Sequence, residues 1–190
     1  ELEIARQQLI DKRESLRRRL NQAEVDVTDL RAVRRMYGKI VRNMSDEIGR
    51  QDMRIEQMAD RLTLTLSQRL LFDEAKTEIR PEGKKALDKF VQSFDPGDRE
   101  RYNIIVLGHA DNRKIHPDLR HRFRNNWELS TERALSVSSY LTEQGVDPGL
   151  VYPGGRSYYS PVATNDTPEG RRRNRRVEII LVPRGYMVQS

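Results

Sequence analysis

"RLTLTLS", residues 61–67, alternates apolar and polar side chains and reads as a β-strand. Upstream of it the period is different. Leu2, Leu9, Leu16, Ala23, Leu30, Tyr37 and Met44 recur every seven residues. Leu20, Val27, Val41 and Ile48 occupy a second set of positions in the same repeat, and Ile55 and Leu62 continue the series. Two apolar positions per seven, separated by charged residues, form a heptad seam. The chain therefore divides where the period changes. Residues 1–61 are expected to form one helix acting as a coiled-coil stalk and dimerisation segment, residues 62–183 a folded domain, and residues 184–190 a frayed tail.

At 1.5 Å per residue such a helix would extend roughly 90 Å, too far to pack against one small domain. Parallel association of two copies is one outcome of the seam, and a single helix laid over its own domain is the other. Arg6, Arg13 and Arg34 at seam positions, and Gly38 and Gly49 within the helix, make the seam imperfect.

Downstream of residue 67 the elements follow in order. Pro81 is placed to open a helix whose stripe is Ala86, Leu87, Phe90, Val91 and Phe94, ending at "DPGD" (95–98). "YNIIVLGHAD" (102–111) is a buried strand running into a loop. A basic, irregular connection spans 112–126, expected to be mobile or else to contact an acidic polymer, with mobility favoured. "NWELSTERALSVSSYLTEQG" (126–145) is a helix with Asn126 as N-cap and Gly145 as its stop. "LVYPGGRS" (150–157) is a short strand, 156–170 a loop, and "RRVEIILV" (175–182) the last strand. Strands alternating with two helices give a compact α/β sandwich of about 120 residues.

Composition narrows the partners. With 36% hydrophobic and 34% charged residues, the chain cannot supply a large core throughout, so part of it should be an extended, solvated element. A net charge of +6 admits nucleic acid, an anionic membrane surface or an acidic polymer. No run of 18 apolar residues occurs, so no transmembrane helix is expected. The sequence begins at Glu1 with neither Met nor signal peptide, as a processed or truncated piece would. Absence of cysteine excludes disulfides and cysteine-based metal sites.

Arg133 is the most informative residue. It shares a helical face with Leu129, Val137 and Leu141, so a guanidinium lies on an apolar stripe. A buried charge needs an anionic partner, either an internal Asp or Glu or a ligand. Asp111 follows a buried strand at its carboxyl end, where α/β sheets tend to bind ligands, and reads equally as a loop-capping carboxylate. His109, His116 and His121 match no familiar metal-ligand spacing. No nucleophile elbow, paired carboxylates or phosphate loop occurs, so a non-enzymatic protein without cofactor or metal is expected.

"LLFDEAKTEIRPEG" (70–83), "GHAD" (108–111), "NWELSTERA" (126–134), "YPGGRSYYSPVATNDTPEGR" (152–171) and "NRRVEI" (174–179) occur in this order. Together they resemble the OmpA C-terminal-like family, which includes the peptidoglycan-binding domains of OmpA, Pal and MotB. "NWELSTERA" after a long loop is most similar to the MotB branch. The resemblance implies an α+β fold, a mixed β-sheet with helices packed on one face, here preceded by the long helical coiled coil. It also implies noncovalent binding of the peptidoglycan stem peptide, with Asp111 and Arg133 gripping the free amino-acid end of diaminopimelate. Phe72, Asn126 and Leu129 match positions lining the same pocket, and Asn174, Arg175 and Arg176 match a segment that helps build it.

Ala110 stands where the family has threonine, which removes one hydroxyl contact. The resemblance places the chain in the periplasm, tied to a membrane by an anchor outside this sequence: the lipid of an outer-membrane lipoprotein, or the single span of a MotB-like motor subunit. It gives the arginine cluster "GRRRNRRVEIIL" (170–181) to this site rather than to a nucleic-acid groove. A nucleic-acid-binding basic protein, the rival class, lacks interleaved aromatics and any recognised motif.

Overall fold

The structure, a computed structural model, describes residues 2–58, 61–74, 76–95 and 97–184. Helix α1 (Leu2–Asn43) and the short α2 (Ser45–Gly49) lead into strands β1 (Met53–Met58) and β2 (Arg61–Ser67). Then come α3 (Gln68–Leu71), α4 (Pro81–Gln92), β3 (Tyr102–His109), α5 (Asn126–Glu143), β4 (Val151–Gly155), α6 (Pro168–Asn174) and β5 (Arg176–Pro183). The five strands form one mixed sheet in the order β1-β2-β5-β3-β4. Only β3 and β4 pair in parallel, and α5 supplies the crossover that such a pair requires.

Period-two alternation places one side of the sheet in the core. Leu64, Ile179 and Val106 are in register across β2, β5 and β3, as are Leu62, Leu181 and Ile104, and all six are buried. Ala86, Leu87, Phe90 and Val91 of α4, and Ala134, Val137 and Leu141 of α5, join them in one cluster. Phe90 meets Phe94 edge to face at 5.0 Å. Pro81 opens α4 as its sequence position implies, and α5 stops at Gly145, whose φ of +88° suits glycine.

The helix expected over 1–61 breaks earlier. α1 ends at Asn43, and residues 53–58 are strand β1 on the sheet edge, with Met53 opposite Leu66 and Ile55 opposite Leu64. Ile55 fits a heptad and an alternating pattern equally well, and pairing with β2 decides between them. The end of α1 also faces its own domain. Val33, Met36, Ile40 and Met44 are buried in the main core, while Tyr37 and Ile48 are partly buried at its flank. Among the described seam positions from Tyr37 to Ile48, Met44 is fully covered, while Tyr37, Val41 and Ile48 are half-buried. Lys39–Asp95 and Lys89–Glu47 ion pairs, and a hydrogen bond from Asn43 Nδ2 to Ser93 Oγ (2.9 Å), fasten α1 and α2 to α4. Farther upstream Leu16 and Leu20 are 55% and 60% exposed. The side chains of Leu2, Leu9, Ala23, Val27 and Leu30 lie outside those described, as does the expected tail beyond Arg184.

The second helical correction concerns α6. The segment expected to be loop before the last strand winds into a helix at Pro168, with Thr167 Oγ1 accepting from the Gly170 amide (3.1 Å). It absorbs Arg171–Asn174, so only Arg176 of the arginine cluster begins the final strand.

Two glycines set how closely α5 approaches the sheet. A Cβ on Gly108 would lie 1.9 Å from the Ser130 carbonyl oxygen, and one on Gly155 2.2 Å from Thr131 Oγ1. The Ser130 hydroxyl also accepts from the Ser157 amide (3.1 Å). This contact holds the first turns of α5 over the end of β3. Gly108→Ala should therefore cost about 2–3 kcal/mol of stability, measured by urea unfolding, because the clash is with backbone and cannot be relieved by a rotamer change.

Candidate functional site

The carboxyl end of β3, the start of α5 and the start of β5 converge on one cleft of about 1480 Å³. Phe72, Asp111, Asn126, Leu129, Arg133 and Arg175 line it, with Arg176 on the same wall. These positions are scattered over a hundred residues of sequence, and the sheet gathers them.

Asp111 is 6% exposed. Its Oδ1 accepts from the Arg113 amide (3.0 Å), and its Oδ2 accepts from Arg175 Nη1. It is thus a loop cap and one member of an ion pair at once. Asn126 braces this loop by donating from Nδ2 to the carbonyls of Asp111 (3.2 Å) and Arg113 (3.0 Å). The helix N-cap is Asn125 rather than Asn126, with Oδ1 accepting from the Glu128 amide (3.1 Å). Asn126 is freed from capping for this second task.

Arg133 is equally buried, at 6% exposed. Its Nη1 donates to Gln68 Oε1 (2.9 Å) and its Nη2 to the Lys76 carbonyl (3.4 Å), while Nε has no hydrogen-bond partner. The guanidinium carbon lies 5.5 Å from the centre of the Phe72 ring. The internal Asp or Glu that could have neutralised it is missing: among the described residues, no carboxylate comes within ion-pair distance of Arg133. Burial lowers its pKa to about 10, neighbouring Arg175 pushes in the same direction, and Asp111 pulls it back. It therefore remains a cation at neutral pH, with donors left over. Two arginines and one aspartate leave an excess positive charge suited to a carboxylate.

The remaining expected site residues have different placements. Leu129 is buried with Ile115, Leu119 and Phe123. The 112–126 connection, read from sequence as irregular, folds around this small apolar cluster, with a 3-10 turn at Pro117–Leu119 and Arg120 Nε donating to the Ile115 carbonyl (3.1 Å). Arg176 is 4% exposed and donates to Glu178 (2.7 Å) and to the carbonyls of Asn174 and Ser160. Burial pushes the Glu178 carboxyl up, but His109 and Arg176 outweigh it and hold the pKa at about 2. Asn174 does not reach the cleft. It is fully buried, accepting from the Val162 and Ala163 amides and donating to the Ala163 carbonyl and Asn165, so it shapes the 162–165 loop.

Sequence reading misses Gln68, which holds Arg133 across 65 positions without a motif of its own. It also misses the assembly of Trp127, Tyr158 and Tyr159 into an exposed aromatic stack. The adjacent tyrosines gave no sign of their partner in another element.

A buried guanidinium without a counter-ion is a cost to the fold, because a charge removed from water needs compensation. Arg133→Met should leave the unfolding free energy unchanged or raise it by about 1 kcal/mol in urea titrations. A loss above about 2 kcal/mol would make the guanidinium a structural element instead.

The OmpA family profile matches residues 71–175, a span containing Phe72, Asp111, Arg133 and Arg175. Outer membrane protein A of Bordetella avium is 40% identical over 111 residues, 58% of this chain and 53% of that protein. Motility protein B of Bacillus subtilis (strain 168) is 32% identical over 161 residues, 84% of this chain and 59% of that protein. The chain therefore spans less than two thirds of either relative. Among solved structures, a MotB-like protein from Desulfovibrio vulgaris superposes with a TM-score of 0.73 and 25% identity, covering 84% of this chain and 99% of that one. The cell wall anchor of the T6SS from Pseudomonas aeruginosa gives a TM-score of 0.67 and 35% identity, covering 76% and 96%.

Proposed function

Because the chain belongs to the OmpA family, we propose that it binds peptidoglycan noncovalently and ties a cell-envelope protein to the wall from the periplasm. The observation carrying this reading is the buried, carboxylate-free Arg133 beside Asp111 in an open cleft. The side-chain end of diaminopimelate in a stem peptide is a zwitterion. Its ammonium pairs with Asp111, and its carboxylate with Arg133, which has unused donors, and with Arg175. Phe72 supports the Arg133 guanidinium from below, Leu129 forms the apolar wall, and Asn126 fixes the Asp111 loop. Arg176 and Asn174 brace the site through β5 and α6. No step in this reading makes or breaks a covalent bond.

Two forms of tether fit. In the first, the chain is the wall-binding part of an outer-membrane lipoprotein. In the second it belongs to a MotB-like stator anchored by one inner-membrane helix, which is favoured by the 84% of the chain that aligns with Motility protein B. No helix among the described residues is long and apolar enough to cross a membrane. In both forms α1 acts as a spacer between the anchor and the wall-binding domain.

Asp111→Ala or Arg133→Ala should weaken retention on purified sacculi about 10- to 100-fold, from about 1.5–3 kcal/mol per charge-assisted bond. Far-UV circular dichroism should stay near wild type. Free diaminopimelate should compete, whereas acetate and D-lactate, which lack an ammonium, should not. Retention of both variants at wild-type strength would sink the clamp.

The upstream part of α1 supports a second proposal, a homodimer. Leu16 and Leu20 are seam residues left facing solvent, and a second copy of the same helix would cover them. Light scattering should give an elongated dimer. Deleting residues 1–30, which spares the buried Ala32, Val33 and Met36, should give a folded monomer. A monomeric full chain would remove the dimer.

A further inference from the structure

Trp127, Tyr159 and Tyr158 form a stack on the surface beside the cleft. The Trp127 and Tyr159 ring centres are 5.6 Å apart with planes at 28°, and those of Tyr159 and Tyr158 are 4.4 Å apart at 27°. All three stay well exposed, at 47%, 62% and 38%. Three large rings facing water carry a hydration cost that core residues escape.

The stack is also held firmly. Trp127 follows Asn126, whose side chain bonds the Asp111 and Arg113 carbonyls. Tyr158 follows Ser157, a buried non-glycine residue with φ of 51°. The Ser157 carbonyl accepts from the Ala110 amide (2.8 Å), and its own amide donates to Ser130 Oγ. A sparsely populated backbone conformation persists where such contacts over-determine it. The rings are therefore projected by a rigid turn, joined on both sides to residues that brace the clamp.

We propose that Trp127, Tyr158 and Tyr159 are a stacking platform for the pyranose rings of the peptidoglycan glycan strand. The inference rests on the wall-binding reading and adds a second subsite to it. A pyranose offers flat, apolar faces of C–H groups that fit an aromatic surface, and polar edges that need hydrogen bonds. The Tyr158 and Tyr159 hydroxyls, 3.2 Å from each other, and the Arg156–Ser160 pair at the rim supply those edges. A residue in mid-stem-peptide lies about three residues from the sugar, roughly 10 Å of extended chain. The platform lies beside the clamp in the fold, so one polymer can occupy both, and joining two weak sites raises the strength of the whole.

Trp127 is the protein's only tryptophan, so its emission reports on this platform alone. The probe is glycan strands stripped of stem peptides by an amidase, titrated into the full chain. A saturable emission change is expected in wild type and also in Asp111→Ala, which keeps the platform but loses the clamp. The double variant Tyr158→Ala/Tyr159→Ala should lose that change and bind sacculi about tenfold more weakly. Its NMR response to free diaminopimelate at Arg133 should match wild type, which separates a lost platform from a damaged fold. If stripped glycans leave the emission unaltered and the double variant retains sacculi normally, the platform is overturned. It is overturned as well if oligo(dT) saturates the signal at physiological salt while glycans do not. A glycan response alongside unimpaired sacculus binding by Asp111→Ala would instead remove the clamp and leave the platform.

Discussion

The close approach of α5 to the ends of β3 and β4 is the constraint on which the site depends. It is possible only because Gly108 and Gly155 have no side chains where Ser130 and Thr131 sit. Once the helix is seated there, one residue earlier puts Leu129 against the small cluster of the 112–126 segment, and three residues later puts Arg133 under the sheet's end. The same turn fixes Ser157 through Ser130 Oγ, and Ser157 in turn fixes Ala110, next to Asp111. A handful of backbone contacts thus sets the separation between an acid and a base carried on different elements.

Charge at the site follows from this geometry. Asp111 is shared between a loop amide and Arg175, while Arg133 is left with an amide oxygen, a carbonyl and an aromatic face. Neutral acceptors tolerate a buried guanidinium without cancelling it. An internal carboxylate would have made a stabler and inert pair. With Gln68 in that place the guanidinium keeps its positive charge uncancelled, as the proposed clamp requires. By contrast Arg176, another buried arginine much farther along the chain, has a counter-ion in Glu178.

The long helix combines two roles that a heptad pattern cannot separate. Its end is part of the domain, with Val33, Met36 and Ile40 in the same core as the sheet. Its beginning presents Leu16 and Leu20 to water. The buried stripe falls mostly beside the heptad seam, because a helix crossing a small domain meets a surface shaped differently from a twin helix.

Local pattern alone determined much of this protein. The strict alternation of residues 61–67, the Pro81 start, the Gly145 stop and the apolar runs of β3 and β5 are each encoded within a few neighbouring residues. Local order likewise singled out Asp111 after the buried strand and Arg133 on an apolar helix face, while Arg175 came from the family resemblance carried by "NRRVEI". Tertiary structure decided the rest, wherever a residue's role is set by a partner distant in the chain. β1 is a strand because β2 pairs with it, although Ile55 satisfies either period. Arg133 is uncompensated because Gln68, not an acid, folds against it from 65 positions away. Asp111 meets Arg175 across 64 positions, and Trp127 meets Tyr159 from another element, contacts that no short window of sequence contains.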